Sequence, residues 1–185
     1  MRTFIAIEID PKVKENLNTV IHRLKKVSSG IKWVKPAAMH LTLKFLGNID
    51  KEKAKALIKI LDKISQNHNR FDLSCTGIGT FPQMSRKPRV IWAGIDNNSS
   101  LGEIYKEIET ECEKIGFSKE KRSFHPHFTL GRVKKKAEFQ ELVPKLESLK
   151  NADFGKTNVD RLTLFKSTLT PQGAIYDILH ESIIK

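Results

Sequence analysis

The chain has 185 residues, 39% hydrophobic and 29% charged, which is the make-up of an ordinary globular protein with one core. No stretch comes near the roughly 18 apolar residues that a membrane-spanning helix needs, and two cysteines, Cys75 and Cys112, are too few for a disulfide framework. The net charge of +12 is spread along the whole chain and favours a polyanionic partner such as nucleic acid.

Phe4 to Ile9 has strand character, and its apolar run is broken too soon by Glu8 and Asp10 for a signal peptide, so a cytoplasmic protein is expected. Asp10-Pro11 supplies a helix cap and a proline at the first helical position. Val13, Leu17, Val20, Ile21, Leu24 and Val27 follow at helical spacing, with Gly30 expected to stop the helix. Ile31 to Val34 is a short extended piece. Met39 to Leu46 is a strand ended by Gly47-Asn48, and Asp50 is placed to cap the helix of Ala54, Leu57, Ile58, Leu61 and Ile64.

Phe71 to Cys75 alternates as a strand. Arg86, Lys87 and Arg89 form a basic loop, and Arg89 to Ile95 is the next strand. Ser100 with Glu103 fits a capping box for a helix that carries Leu101, Ile104, Ile108 and Cys112 and stops at Gly116. Lys119 to Arg122 is a second basic loop. It leads to a strand, His127 to Leu130, closed by Gly131. Phe139, Leu142, Val143, Leu146 and Leu149 predict a fourth helix that Pro144 kinks or splits. Two long strands, at about 158–168 and 173–181, close the chain around the turn Thr170-Pro171-Gln172-Gly173.

One four-residue pattern occurs twice, as His40-Leu41-Thr42-Leu43 and His127-Phe128-Thr129-Leu130. Alternation along a strand puts the His and the Thr of each copy on one face and the apolar pair on the other. Each copy lies between helices at matching offsets. The chain is therefore expected to be a duplicated unit, α+β in class, with two antiparallel sheets facing across a cleft, helices outside, and one motif in each lobe of a single bilobal domain spanning 1–185.

Two imidazoles across a cleft can act as general acid and general base, because free imidazole titrates near ~6.5. That suits in-line displacement at phosphorus. One His takes a proton from water and the other protonates the leaving oxygen, while the Thr42 and Thr129 hydroxyls hold the phosphate oxygens. A cyclic phosphodiester at an RNA end fits both the site and the basic surface. No metal or other cofactor is expected, since neither strand offers a third ligand. His125 shares the parity of His127. Lys44 shares that of His40 and is expected as a solvated lysine at the cleft rim. Arg132 faces away by strict alternation unless a bulge at Gly131 turns it back. His22 and His68 are expected at the surface, and His180 in a structural role.

The segments Phe4-Ile5-Ala6-Ile7, Trp33-Val34, His40 to Gly47, Pro126 to Arg132 and Ser167 to Tyr176 together resemble the RNA 2′,3′-cyclic phosphodiesterases. That family is also called 2′-5′ RNA ligase and falls within the two-histidine (2H) phosphoesterase superfamily. The resemblance runs from end to end. It implies hydrolysis of RNA 2′,3′-cyclic phosphate ends to 2′-phosphomonoesters, with His40 as proton donor, His127 as proton acceptor, Thr42 and Thr129 on the phosphate, and a monomeric protein. Arg132 is a candidate substrate contact. Reversible 2′-5′ ligation, another cyclic nucleotide as substrate, and a non-catalytic RNA-binding module are the alternatives.

Overall fold

The computed structural model describes residues 1–82, 88–96, 98–138, 141–171 and 173–185. Arg86, Lys87, Phe139 and Gln172, singled out in the sequence, lie outside them. In the first half, β1 (Arg2–Glu8) leads to α1 (Pro11–Lys25), β2 (Ser29–Trp33), β3 (His40–Asn48), α2 (Lys51–Asn67) and β4 (Phe71–Phe81). The caps are where the sequence puts them. Asp10 accepts from the backbone of Lys12, and Asp50 from that of Lys53, each at 2.8 Å. Gly30 does not end α1, which stops at Lys25; Gly30 instead takes a left-handed φ of 68° inside β2.

The second half contains β5 (Val90–Ile95), α3 (Ser99–Lys114), β6 (His127–Glu138), α4 (Leu142–Ser148), β7 (Asp153–Val159), β8 (Arg161–Thr170) and β9 (Gly173–Ile183). Four expectations are corrected here. The cap of α3 is Asn98, whose side chain accepts from Leu101 N–H at 3.1 Å, so Ser100 lies inside the helix. Pro144 is the third residue of a seven-residue α4, where the N–H has no helical partner to lose, and no kink results. Gly131 does not close β6. The strand runs on because β2 pairs along it, and a Cβ at Gly131 would meet Ile31 Cγ2 at 2.9 Å and the Trp33 ring at 3.0 Å. The two closing strands are β8 and β9, but a third, β7, not expected from the sequence, precedes them.

The strands form two antiparallel sheets, ordered β3-β1-β8-β9 and β2-β6-β5-β4-β7. The halves exchange their last members. β4 leaves the first half to pair with β5, and β8 returns from the second half to pair with β1. Helices α2 and α3 pack together, α2 on β8 and β9 and α3 on β3, while α1 lies on β7 and α4 on β4.

The unbroken apolar run of β1 marks a strand covered on both sides. Ile5 and Ile7 enter the main core, whereas Phe4 and Ala6 form a second small cluster with Phe165. Cys75 and Cys112 are free and buried, and burial pushes their thiols up to about 12 and about 11, so both remain protonated packing groups. His180 and Ser182 both bond to Asp62, and His68 bonds to Glu107.

Gly79 lies opposite Trp92 on β5, and a methyl group there would overlap the indole ring. Gly79→Ala is expected to destabilise the fold by about 1–3 kcal/mol, read as a lowered urea midpoint with altered tryptophan emission. An unchanged midpoint would mean that the indole moves aside freely.

Candidate active site

Strand register builds the site. On β3, His40 pairs with Glu8, Leu41 with Ile7 and Thr42 with Ala6, but Lys44 then pairs with Ile5. Leu43 is one residue too many. On β6, His127 pairs with Gly94, Phe128 with Ala93 and Thr129 with Trp92, and Gly131 then pairs with Ile91. Here Leu130 is the extra residue. Each motif strand thus bulges at the leucine after its threonine. Both leucines stay buried while the residues beyond are re-aimed. The duplication therefore extends to a backbone irregularity at the same motif position.

His40, Thr42, His127 and Thr129 line one cleft of about 1130 Å³. Arg132 lines it too, because the bulge at Leu130, one residue before Gly131, brings its side chain back to the His face. Phe45 holds the corresponding position on β3. It also lines the cleft and is 67% exposed, unusual for a phenyl ring. Arg2, Arg89 and Arg122 stand around the same opening, and His125 is on its wall.

The two imidazoles are held alike. His127 Nδ1 lies 2.6 Å from the carbonyl of His125, and the His40 ring bonds to the carbonyl of Ala38; both partners are two residues upstream. A carbonyl only accepts, so Nδ1 of His127 carries the proton and Nε2 is left for chemistry. Aromatic rings back both sites. Phe4 stacks on His40 with centroids 4.7 Å apart, and Tyr176 meets it edge-on at 5.1 Å. Phe81 meets His127 edge-on at 5.1 Å.

This burial disfavours the charged rings. His40 is pushed down to about 4, by desolvation first and then by the Lys14 ammonium, against the opposing hydrogen bond to Ala38. His127 is lowered as well. Desolvation is again the main cause, its hydrogen bond to His125 opposes it, and Arg132 and His125 add smaller charge effects.

Lys44 departs from expectation. It is buried, not solvated at the rim, and its ammonium is 2.6 Å from Glu109 Oε1 on α3. Phe4, Phe81 and Tyr176 went unnoticed in the sequence as neighbours of the imidazoles. Only cross-strand register brings them there, and no local spacing announces it. Among the described residues, no group of three or more His, Cys, Asp or Glu is placed to hold a metal ion, and no helix is long and apolar enough to cross a membrane.

The family model for LigT like phosphoesterases matches residues 7–92 and 95–176. The RNA 2′,3′-cyclic phosphodiesterase of Methanocaldococcus jannaschii is 40% identical over 181 residues, which is 98% of this chain and 99% of that protein. The protein of the same name from Thermotoga maritima is 37% identical over 183 residues, 98% of this chain and 94% of its own. The fold is shared with a solved Thermus thermophilus protein, at a TM-score of 0.84 and 24% identity, covering 100% of this chain and 98% of the other. It is shared also with E. coli LigT complexed with 3′-AMP, at 0.76 and 24%, covering 99% and 97%. With its motifs on facing sheets and its similarity running from end to end, the chain belongs to the LigT like phosphoesterase family.

Proposed function

We propose that this protein hydrolyses 2′,3′-cyclic phosphate ends of RNA to 2′-phosphomonoesters without a metal, His40 acting as proton donor and His127 as proton acceptor. The observation that carries the reading is the pair of imidazoles, each with a threonine hydroxyl on its own strand face, lining one cleft ringed by arginines. The names of the relatives agree with it. The protein acts as a cytoplasmic monomer, a single bilobal domain over 1–185, and with an RNA 5′-hydroxyl in place of water as the nucleophile the same groups can run 2′-5′ ligation.

In this scheme the phosphate lies between the rings. Thr42 and Thr129 donate to its non-bridging oxygens, and Arg132 contacts the phosphate or the adjoining backbone. His127 Nε2 takes the proton of the attacking water, and the imidazolium that forms keeps its Nδ1–H on the His125 carbonyl. His40 gives its proton to the departing 3′ oxygen.

Burial holds both rings neutral in the free cleft at pH 7, His40 the more strongly. On that ground alone, a single proton would settle on His127. The donor role of His40 requires the bound anion to raise it above its partner, which a phosphodiester charge in a low-dielectric cleft can do.

The first test uses a short RNA ending in a 2′,3′-cyclic phosphate, in EDTA. A 2′-phosphate product at the full rate is expected. His40→Ala or His127→Ala should lower kcat by about 10²–10⁴-fold with the fold intact. A 3′-phosphate would mean that the 2′ oxygen leaves and would overturn the substrate orientation proposed, and unimpaired turnover in both variants would remove the basis of the reading. The second test is pH dependence. Free-enzyme catalysis needs one proton on the pair, and both groups are depressed, so kcat/KM should already be falling above about pH 6.5. The alkaline limb of kcat should lie at higher pH, because bound phosphate stabilises the protonated ring. A kcat/KM maximum above about pH 7.5 would contradict the buried-imidazole account.

A further inference from the structure

Lys44 and Glu109 form a buried ion pair for which the acid–base scheme has no use. Their side chains are 5% and 9% exposed. Lys44 Nζ donates to Glu109 Oε1 at 2.6 Å and to the Ser118 carbonyl at 3.0 Å. Glu109 Oε2 accepts from the backbone N–H of Glu120 at 2.9 Å. The pair thus grips the segment between α3 and β6 at two points, two residues apart. Further along, Phe124 stacks on Tyr105 of α3 with centroids 3.9 Å apart and planes 7° from parallel. One residue later comes His125, whose carbonyl holds the His127 ring.

A buried ion pair gives up the hydration of both charges, and apolar side chains of similar volume commonly stabilise a fold as well or better. Stability alone is therefore a weak reason for it. Apolar side chains could not, however, donate to Ser118 or accept from Glu120. Lys44 also sits one residue beyond the bulge leucine of the first motif, so the pair joins the strand of His40 to the segment that fixes His127.

We propose that Lys44 and Glu109 are positioning residues: their ion pair anchors residues 118–126 and thereby sets the orientation of His127 relative to His40. This rests on the reading of the two histidines as acid and base.

Two double variants test it. Lys44→Met with Glu109→Leu removes the charges and both anchors. Lys44→Glu with Glu109→Lys keeps a buried pair but reverses donor and acceptor, so neither Ser118 nor Glu120 is held, and it carries the test if the apolar variant does not fold. Turnover is measured on cytidine 2′,3′-cyclic phosphate, and the His127 tautomer by imidazole nitrogen NMR. The expected result is kcat lowered about 10- to 100-fold with little change in KM, together with loss of the single Nδ1–H tautomer. A folded double variant with the wild-type kcat and tautomer would overturn the proposal. Absence of turnover in the wild-type protein would instead count against the functional reading, and the NMR comparison would still decide the positioning role.

Discussion

The surplus residue that follows each motif threonine decides what the cleft contains. Without the bulges at Leu43 and Leu130, strict alternation would carry the His–Thr face straight along β3 and β6. With them, the leucine stays in the core and the following residues change sides. On β6 this delivers Arg132 to the face of His127. On β3 it delivers Phe45, and it frames the inward course of Lys44 toward Glu109. The two arms share a backbone plan and differ in what they present, a guanidinium on one and a phenyl ring on the other. A site built twice from one plan is thereby made asymmetric.

The electrostatic setting follows from the packing around the rings. Phe4, Phe165 and Tyr176 on one side and Phe81 on the other exclude water from imidazoles that would otherwise titrate near ~6.5. This packing therefore disfavours the imidazolium form of both rings. The arginines around the opening attract anions. The cationic groups and the imidazoles are separate residues, so burial can tune the histidines without weakening the pull of the arginines.

Local chemistry was legible in the sequence, and partner-dependent geometry was not. Asp10-Pro11 and Asp50 announced their helices because a cap is a contact within a few residues. The two His-x-Thr-Leu strings announced their strands and shared faces because alternation is local. Lys44 and Arg132 were misjudged or left open because a bulge exists only relative to a partner strand. β7 was missed for a similar reason, for Asp153–Val159 pairs with β4, about eighty residues upstream. Gly30 looked like a helix stop, yet its left-handed φ serves β2, whose partner β6 lies a hundred residues downstream. The catalytic roles of individual residues rest on chemistry and resemblance together, since two nearly symmetric motifs do not by themselves tell acid from base.

The exchange of strands between the halves has a consequence for how the sheets close. One of the two edges of β1 is covered only by β8, which begins at Arg161. The four-stranded sheet thus depends on contacts about as distant in sequence as the chain allows, and such closures are slow because loop entropy is lost before pairing repays it. The five-stranded sheet has β4, β5 and β6 as neighbours in sequence, and only β2 and β7 join it through long connections. The two walls of the cleft therefore differ in what closes them: β4, β5 and β6 beside His127 pair through the shorter connections, whereas the sheet of His40 is joined by the longest ones.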